Sequence, residues 1–300
     1  MSPDAASADV ARATAIGALA IAMWSALAAL TAASRALPPF ELAAIAFAIG
    51  AAPGFALAAA RGRLSAISRD PRVWAVGVGG LFGYHALYFS ALRLAPPAQA
   101  GLIAYLWPLL IVLMAAPAAG ERLRWRHVAG AALGFAGVGA LFAGGGAGGG
   151  FSVAFVPGYL LAAGCALTWS TYSVLSRRFP EAGAETVAAF CAATSALALI
   201  CHLLFETNVA PVGAAAWASI VALGLGPVGL AFYVWDHGVK RGDIGLLGVF
   251  AYATPALSTL LLVATGFAAP SWGLAIACGL VMAGAAVATG AGRRAVAPAS

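Results

Sequence analysis

Apolar residues along this chain gather into ten long stretches, at residues 13 to 34, 40 to 60, 72 to 93, 98 to 119, 128 to 143, 157 to 178, 185 to 206, 214 to 236, 243 to 265 and 271 to 292, with short polar gaps between them. A helix needs about 20 apolar residues to cross a hydrocarbon core roughly 30 Å thick, and most of the stretches meet that length. The pattern predicts an all-α integral membrane protein of ten transmembrane helices. The first stretch is long, follows a weakly basic segment and heads nine similar stretches, so it reads as a retained helix and not as a cleaved leader.

The gaps carry the orientation. Fourteen of the sixteen basic residues fall in alternate gaps: Arg12; Arg61, Arg63, Arg69 and Arg72; Arg122, Arg124 and Arg126; Arg177 and Arg178; Lys240 and Arg241; Arg293 and Arg294. Only Arg35 and Arg93 occupy the others. Basic residues collect on the cytoplasmic side, which places both termini inside and the protein in a bacterial-type inner membrane. With 63% hydrophobic and 9% charged residues the chain could not cover a soluble surface. The basic surplus is accounted for by these gaps, with no motif for nucleic acid. Cys165, Cys191, Cys201 and Cys278 lie inside apolar stretches without metal-ligand spacing, so they read as packing residues, and no metal or cofactor is expected.

The chain also repeats itself. A shift of 147 residues superposes Gly77 on Gly224, Gly101 on Gly248, Tyr105 on Tyr252, Pro108 on Pro255 and Trp125 on Trp272; a shift of 145 brings Trp24-Ser25 onto Trp169-Ser170. Matches among Trp, Tyr and Pro are costly to obtain by chance in an alanine-rich chain. Each half, residues 1–146 and 147–300, then holds five spans. Five is odd, so the second half enters the bilayer from the opposite face, giving two inverted five-helix repeats with the glycine-rich run at residues 144–150 as tether.

Ten spans, the duplication, the Gly120-Glu121-Arg122 linkage and the paired Tyr-x-x-Pro segments resemble the EamA family of the drug/metabolite transporter superfamily. More narrowly, Gly83-Tyr84-His85-Ala86-Leu87-Tyr88-Phe89-Ser90-Ala91-Leu92 followed by Tyr105-Leu106-Trp107-Pro108 resembles the aromatic amino acid exporters of the YddG type. That resemblance implies export of Phe, Tyr, Trp and planar aromatic cations by alternating access. Many members carry an Arg in the second span where this chain has Phe47, so that arginine's role does not transfer.

Candidate substrate contacts are the aromatics too deep for an interfacial belt: Trp24, the pair Tyr84 and Tyr88 on one helical face with His85 beside them, Tyr105 and Trp107, Trp169 with Tyr172 and Ser176 at i+3 and i+7, and Tyr252 as the repeat mate of Tyr105. A Tyr hydroxyl or indole N–H costs free energy in lipid without a partner, so together they favour a lined cavity, with interhelical packing as the alternative for any single ring. His85 is the ionisable residue nearest a span centre, either a substrate or proton ligand or a neutral imidazole bonded to a neighbour. Trp74, Trp125, Trp217 and Trp272 read as belt residues. Glu41 and Glu206 are expected to be hydrated at outer edges, and Asp236 and His237 to lie in a hydrated pair with Lys240.

Pro108 and Pro255 each free a carbonyl one turn earlier and are gating candidates. The patterns Gly130-x-x-x-Gly134 and Ala275-x-x-x-Gly279 permit close helix approach, as buttress or dimer contact, with a monomer favoured. No Ser/His or Asp/Asp constellation on span interiors supports proteolysis, and Lys240 is the sole lysine, outside any phosphate-binding loop, so an enzyme is not expected. An exporter of another small metabolite or drug, or a membrane scaffold, are the competing readings.

Overall fold

The structure, a computed structural model, describes residues 3–289 apart from 108, 111–112, 115–124, 144–150, 177, 180, 212, 243–246, 248–249 and 252. Among the described residues it is all-helical. Helices α1 (Pro3–Ser25) and α2 (Leu27–Ala33) form the first span, α3 (Pro39–Ala60) the second and α4 (Pro71–Leu94) the third. They are followed by α5 (Pro97–Ala104), α6 (Trp125–Ala143), α7 (Val156–Ser176), α8 (Ala184–Phe205), α9 (Ala214–Leu225), α10 (Ala231–Arg241), α11 (Ala253–Ala264) and α12 (Trp272–Thr289). Six described segments are long and apolar enough to cross a membrane: Ala8–Ala33, Pro39–Ala60, Pro71–Leu94, Val153–Ser176, Ala184–Phe205 and Ala214–Gly238. Three shorter apolar helices, Val128–Gly137, Ala253–Ala264 and Trp272–Gly284, lie among the other expected spans.

Local sequence sets the helix starts. Pro39, Pro71 and Pro97 stand at first helical positions, where the missing N–H is not needed, and Asp70 accepts the N–H of Arg72 at 2.8 Å ahead of α4. Several spans are broken where the sequence predicts continuous helix. The first turns at Ala26, where the Ser25 hydroxyl bonds the Ile21 carbonyl at 2.8 Å. The fourth ends its α5 segment at Ala104, the residue whose carbonyl would accept an N–H from position 108 if that residue were not proline. Pro108 itself, like Tyr252 and the glycine run at 144–150, lies outside the described residues. Pro255 is buried in α11. Between α9 and α10 the eighth span carries a π turn, Gly226–Leu230, around Pro227.

Packing joins helices distant in sequence. The α3 helix lies along α8, α4 along α7, α1 along α10, and α6 along α12. Small residues allow these approaches: a Cβ on Gly17 would lie 2.8 Å from the Cα of Gly238, and one on Gly50 2.9 Å from the Cα of Gly229. At the α6–α12 contact the close approach uses Gly130 and Gly134 with Gly284, whose Cβ would meet the Gly134 nitrogen at 2.8 Å. Ala275 and Gly279, expected to serve the same purpose, sit on the exposed face instead.

The two ends of α3 are tied to α8 in the same manner. Near the start of α3, Glu41 accepts the Val209 N–H at 3.1 Å just beyond the end of α8. Glu185, near the start of α8, accepts from Arg63 at 3.0 Å just beyond the end of α3. The helices therefore run antiparallel. Glu206 accepts the N–H groups of Phe40 and Glu41 at 3.0 and 3.1 Å and pairs with His202 at 3.0 Å. Glu41 is only 7% exposed, so these carboxylates are structural links and not the hydrated edge residues expected from their position.

Candidate functional site

The turn at Ala26, the end of α5 and the π turn bring three irregular backbone segments to one place inside the bundle. Around them Trp24, Tyr84, His85, Tyr105, Trp107 and Trp169 line a buried cavity, joined by Leu27, Phe232 and Thr254. Six of the ten expected contact residues thus converge on one space. Tyr88 stands behind Tyr84, stacked on it at 5.6 Å with planes 9° apart, and does not line the cavity. Tyr172 backs Trp169 at 5.1 Å. Ser176 bonds the Ser173 carbonyl at 3.2 Å near the end of α7, away from the lining.

Trp169 is the hub, with ring centroids 5.7 Å from Trp24, 5.2 Å from Tyr84, 6.4 Å from Trp107 and 5.8 Å from Phe232. Such tilted and edge-on pairs add about 0.5 to 1.5 kcal/mol each beyond their buried area. Polar atoms among the rings are tied to the irregular backbone. The Trp24 indole donates to the Pro227 carbonyl at 3.2 Å, the Tyr105 hydroxyl reaches the Trp24 carbonyl at 3.4 Å, and Ser170 donates to the Trp107 carbonyl at 3.0 Å. His85 places Nδ1 2.9 Å from the Leu81 carbonyl, which only accepts, so Nδ1 carries the proton. Aromatic edges surround its ring: Phe47 at 4.7 Å, Tyr84 at 4.9 Å, Phe89 at 5.5 Å and Phe232 at 6.0 Å.

The cavity encloses about 20 Å³, room for about one water. Pockets that hold small organic ligands usually span about 300 to 1,000 Å³. A planar organic molecule would fit here only if the rings parted.

Phe232, Thr254 and Trp235, the last with its ring 5.1 Å from Trp24, were not among the sequence candidates. The internal repeat holds the signal for all three: at an offset of 147, Phe232 answers His85, Trp235 answers Tyr88 and Thr254 answers Trp107. Two pairs of repeat mates touch, Trp24 with Trp169 at the offset of 145 and His85 with Phe232 at the offset of 147.

Apolar helices long enough to cross a membrane, packed around a buried cluster of rings, define a multi-pass membrane protein. The profile of the EamA-like transporter family matches the sequence twice, over residues 12–143 and 156–290, and the chain belongs to that family. It is 59% identical over 283 residues to the "Aromatic amino acid exporter YddG" of Ancylobacter novellus, covering 94% of this chain and 98% of that protein. It is 29% identical to the protein of the same name from Salmonella typhimurium, over 83% of this chain and 87% of that one. The "Probable terminal-alkyne amino-acid exporter" of Streptantibioticus cattleyicolor is 28% identical over 76% of this chain and 74% of its own. A solved crystal structure, 59% identical, superposes with a TM-score of 0.77 over 96% of this chain and 99% of its own.

Proposed function

We propose that this protein exports aromatic amino acids, Phe, Tyr and Trp, together with planar aromatic cations, across the cytoplasmic membrane by alternating access of two inverted five-helix repeats. The halves are residues 1–146 and 147–300, ten spans in all, with both termini inside. The observation that carries the reading is the meeting of Trp24 and Trp169, repeat mates at 5.7 Å, in a buried cavity of rings from both halves. Stacking surfaces with a few fixed donors and acceptors suit a planar side chain carrying a zwitterion. The names of the Ancylobacter and Salmonella relatives point the same way.

The inverted repeat is supported by how the helices pair. An inversion that exchanges spans one and six, and three and eight, turns the α1–α10 contact into the α4–α7 contact and maps α3–α8 and α6–α12 onto themselves. All four pairings occur. The doubled family match and the mirrored Glu41 and Glu185 links agree with it.

The test is flux of labelled phenylalanine in liposomes containing only this protein, with the other amino acids as competitors. Phe, Tyr and Trp should compete, and Ala and Leu should not. Equal competition by aliphatic amino acids would favour a broader metabolite exporter, a reading to which the Streptantibioticus relative lends weight. No flux of any amino acid would overturn the proposal.

A further inference from the structure

A second cavity, about 380 Å³, opens where α2 and α4 end and α3 and α5 begin, the outer end in the proposed topology. Arg35 and Arg93, the two basic residues that depart from the cytoplasmic bias, both line it although 58 positions apart. Two cations sharing one cavity repel. Glu206 acts on Arg93 electrostatically, but its oxygens are committed to Phe40, Glu41 and His202, and among the described residues neither arginine forms a salt bridge.

Both arginine side chains are exposed at the cavity, and two guanidinium groups form a donor set for a carboxylate. Phe89 gives the cavity an aromatic wall, and it touches His85 of the central cavity at 5.5 Å. One ring pair therefore separates the two spaces, one turn apart on α4.

We infer that this outer cavity is a carboxylate-binding exit site, in which Arg35 and Arg93 receive the carboxylate of the departing amino acid. This rests on the exporter reading for the identity of the solute, and on geometry alone for the carboxylate site. The volume suits an amino acid, unlike that of the much smaller central cavity.

Two measurements test it. Benzoate should raise the thermal midpoint of the purified wild-type protein, and Arg35→Gln with Arg93→Gln should abolish the rise, while Arg35→Lys with Arg93→Lys should keep most of it. In liposomes loaded from the outer face, the Gln pair should raise the half-saturation concentration of phenylalanine about tenfold, the loss expected for a charge-assisted hydrogen bond. Phenethylamine, which lacks the carboxylate, should be unaffected. A benzoate shift that survives in the Gln pair, or equal impairment of phenylalanine and phenethylamine, would overturn the site. So would an effect seen in phosphatidylglycerol vesicles and absent from phosphatidylcholine vesicles, since that assigns the arginines to a lipid phosphate. A benzoate shift that depends on both arginines, with no phenylalanine flux by the wild type, would uphold the carboxylate site and sink the exporter reading instead.

Discussion

The indole Nε1 of Trp24 donates a 3.2 Å hydrogen bond to the carbonyl of Pro227, joining the turn in the first span to the π turn in the eighth. Both partners sit where a helix is interrupted, so the bond holds two irregular segments in register across the cavity. Trp24→Phe keeps an aromatic ring and removes the donor. Its unfolding free energy in detergent should fall by about 1 to 3 kcal/mol, the cost of leaving a buried acceptor without its partner. An unchanged denaturation midpoint would show that the bond contributes nothing to holding the turn.

Trp169 and Tyr88 should respond in opposite ways although both were sequence candidates. Trp169→Ala removes the ring that four lining side chains touch and should cost about 3 to 5 kcal/mol of stability, together with most of the binding of phenylalanine. Tyr88 is 1% exposed with a hydroxyl that has no hydrogen-bond partner, so Tyr88→Phe removes an unsatisfied group and should be neutral or stabilising, with transport retained. Equilibrium unfolding and flux on the same preparations check both, and a crippled Tyr88→Phe would mean that the hydroxyl meets the solute.

Much of this arrangement is legible in the sequence because lipid imposes strong rules. The apolar stretches foretell α3, α4, α7 and α8, since a spanning helix must satisfy its backbone internally. The aromatic spacing foretells the convergence of Tyr84, Tyr105 and Trp169. The interruptions are less visible. The π turn around Pro227 has no hydropathy signature, since Gly226 and Pro227 are flanked by apolar residues as any span residue would be. Phe232 reads as an ordinary lipid-facing ring until the internal repeat aligns it with His85. Glu41 and Glu206 look like solvated edge residues because their partners, Val209 and Phe40, are backbone groups far away in sequence.

His85 offers a test of coupling. Its ring is surrounded by Phe47, Tyr84, Phe89 and Phe232, with Nδ1 on the Leu81 carbonyl, and no carboxylate is among these contacts. A second ring proton would have no anionic partner. Flux should therefore follow the substrate gradient, and His85→Gln should shift the half-saturation concentration while keeping maximal flux within the same order of magnitude. Concentrative uptake driven by an imposed pH gradient, and lost in His85→Gln, would contradict this.

Orientation is open to chemical labelling. In a chain freed of its own cysteines, Ala147→Cys should react with a membrane-impermeant maleimide added outside intact cells, and Ala66→Cys should react only after lysis. The charge bias of the gaps motivates the assignment, since Ala66 lies between Arg63 and Arg69. The reverse labelling pattern would invert the proposed topology and with it the direction of export.

Glu41 and Glu185 should both contribute to stability, because each grips the segment just past the far end of the partner helix. Glu41 accepts the Val209 N–H at 3.1 Å, and Glu185 pairs with Arg63 at 3.0 Å while its neighbour Thr186 accepts the Ser68 N–H at 3.1 Å. Hydrogen bonds to charged groups contribute about 1.5 to 3 kcal/mol, and Glu→Gln keeps the shape while removing the charge, so each substitution should lose part of that amount. The Glu185 pair is half exposed through Arg63, whose side chain is 59% accessible, so its loss should be the smaller and should shrink further in high salt. If α3 and α8 move as one unit during the cycle, both variants should lower the thermal midpoint and leave substrate selectivity untouched. A change in the Phe-to-Trp preference of either variant would show that these ends separate during transport, and that the mirrored links act as gates.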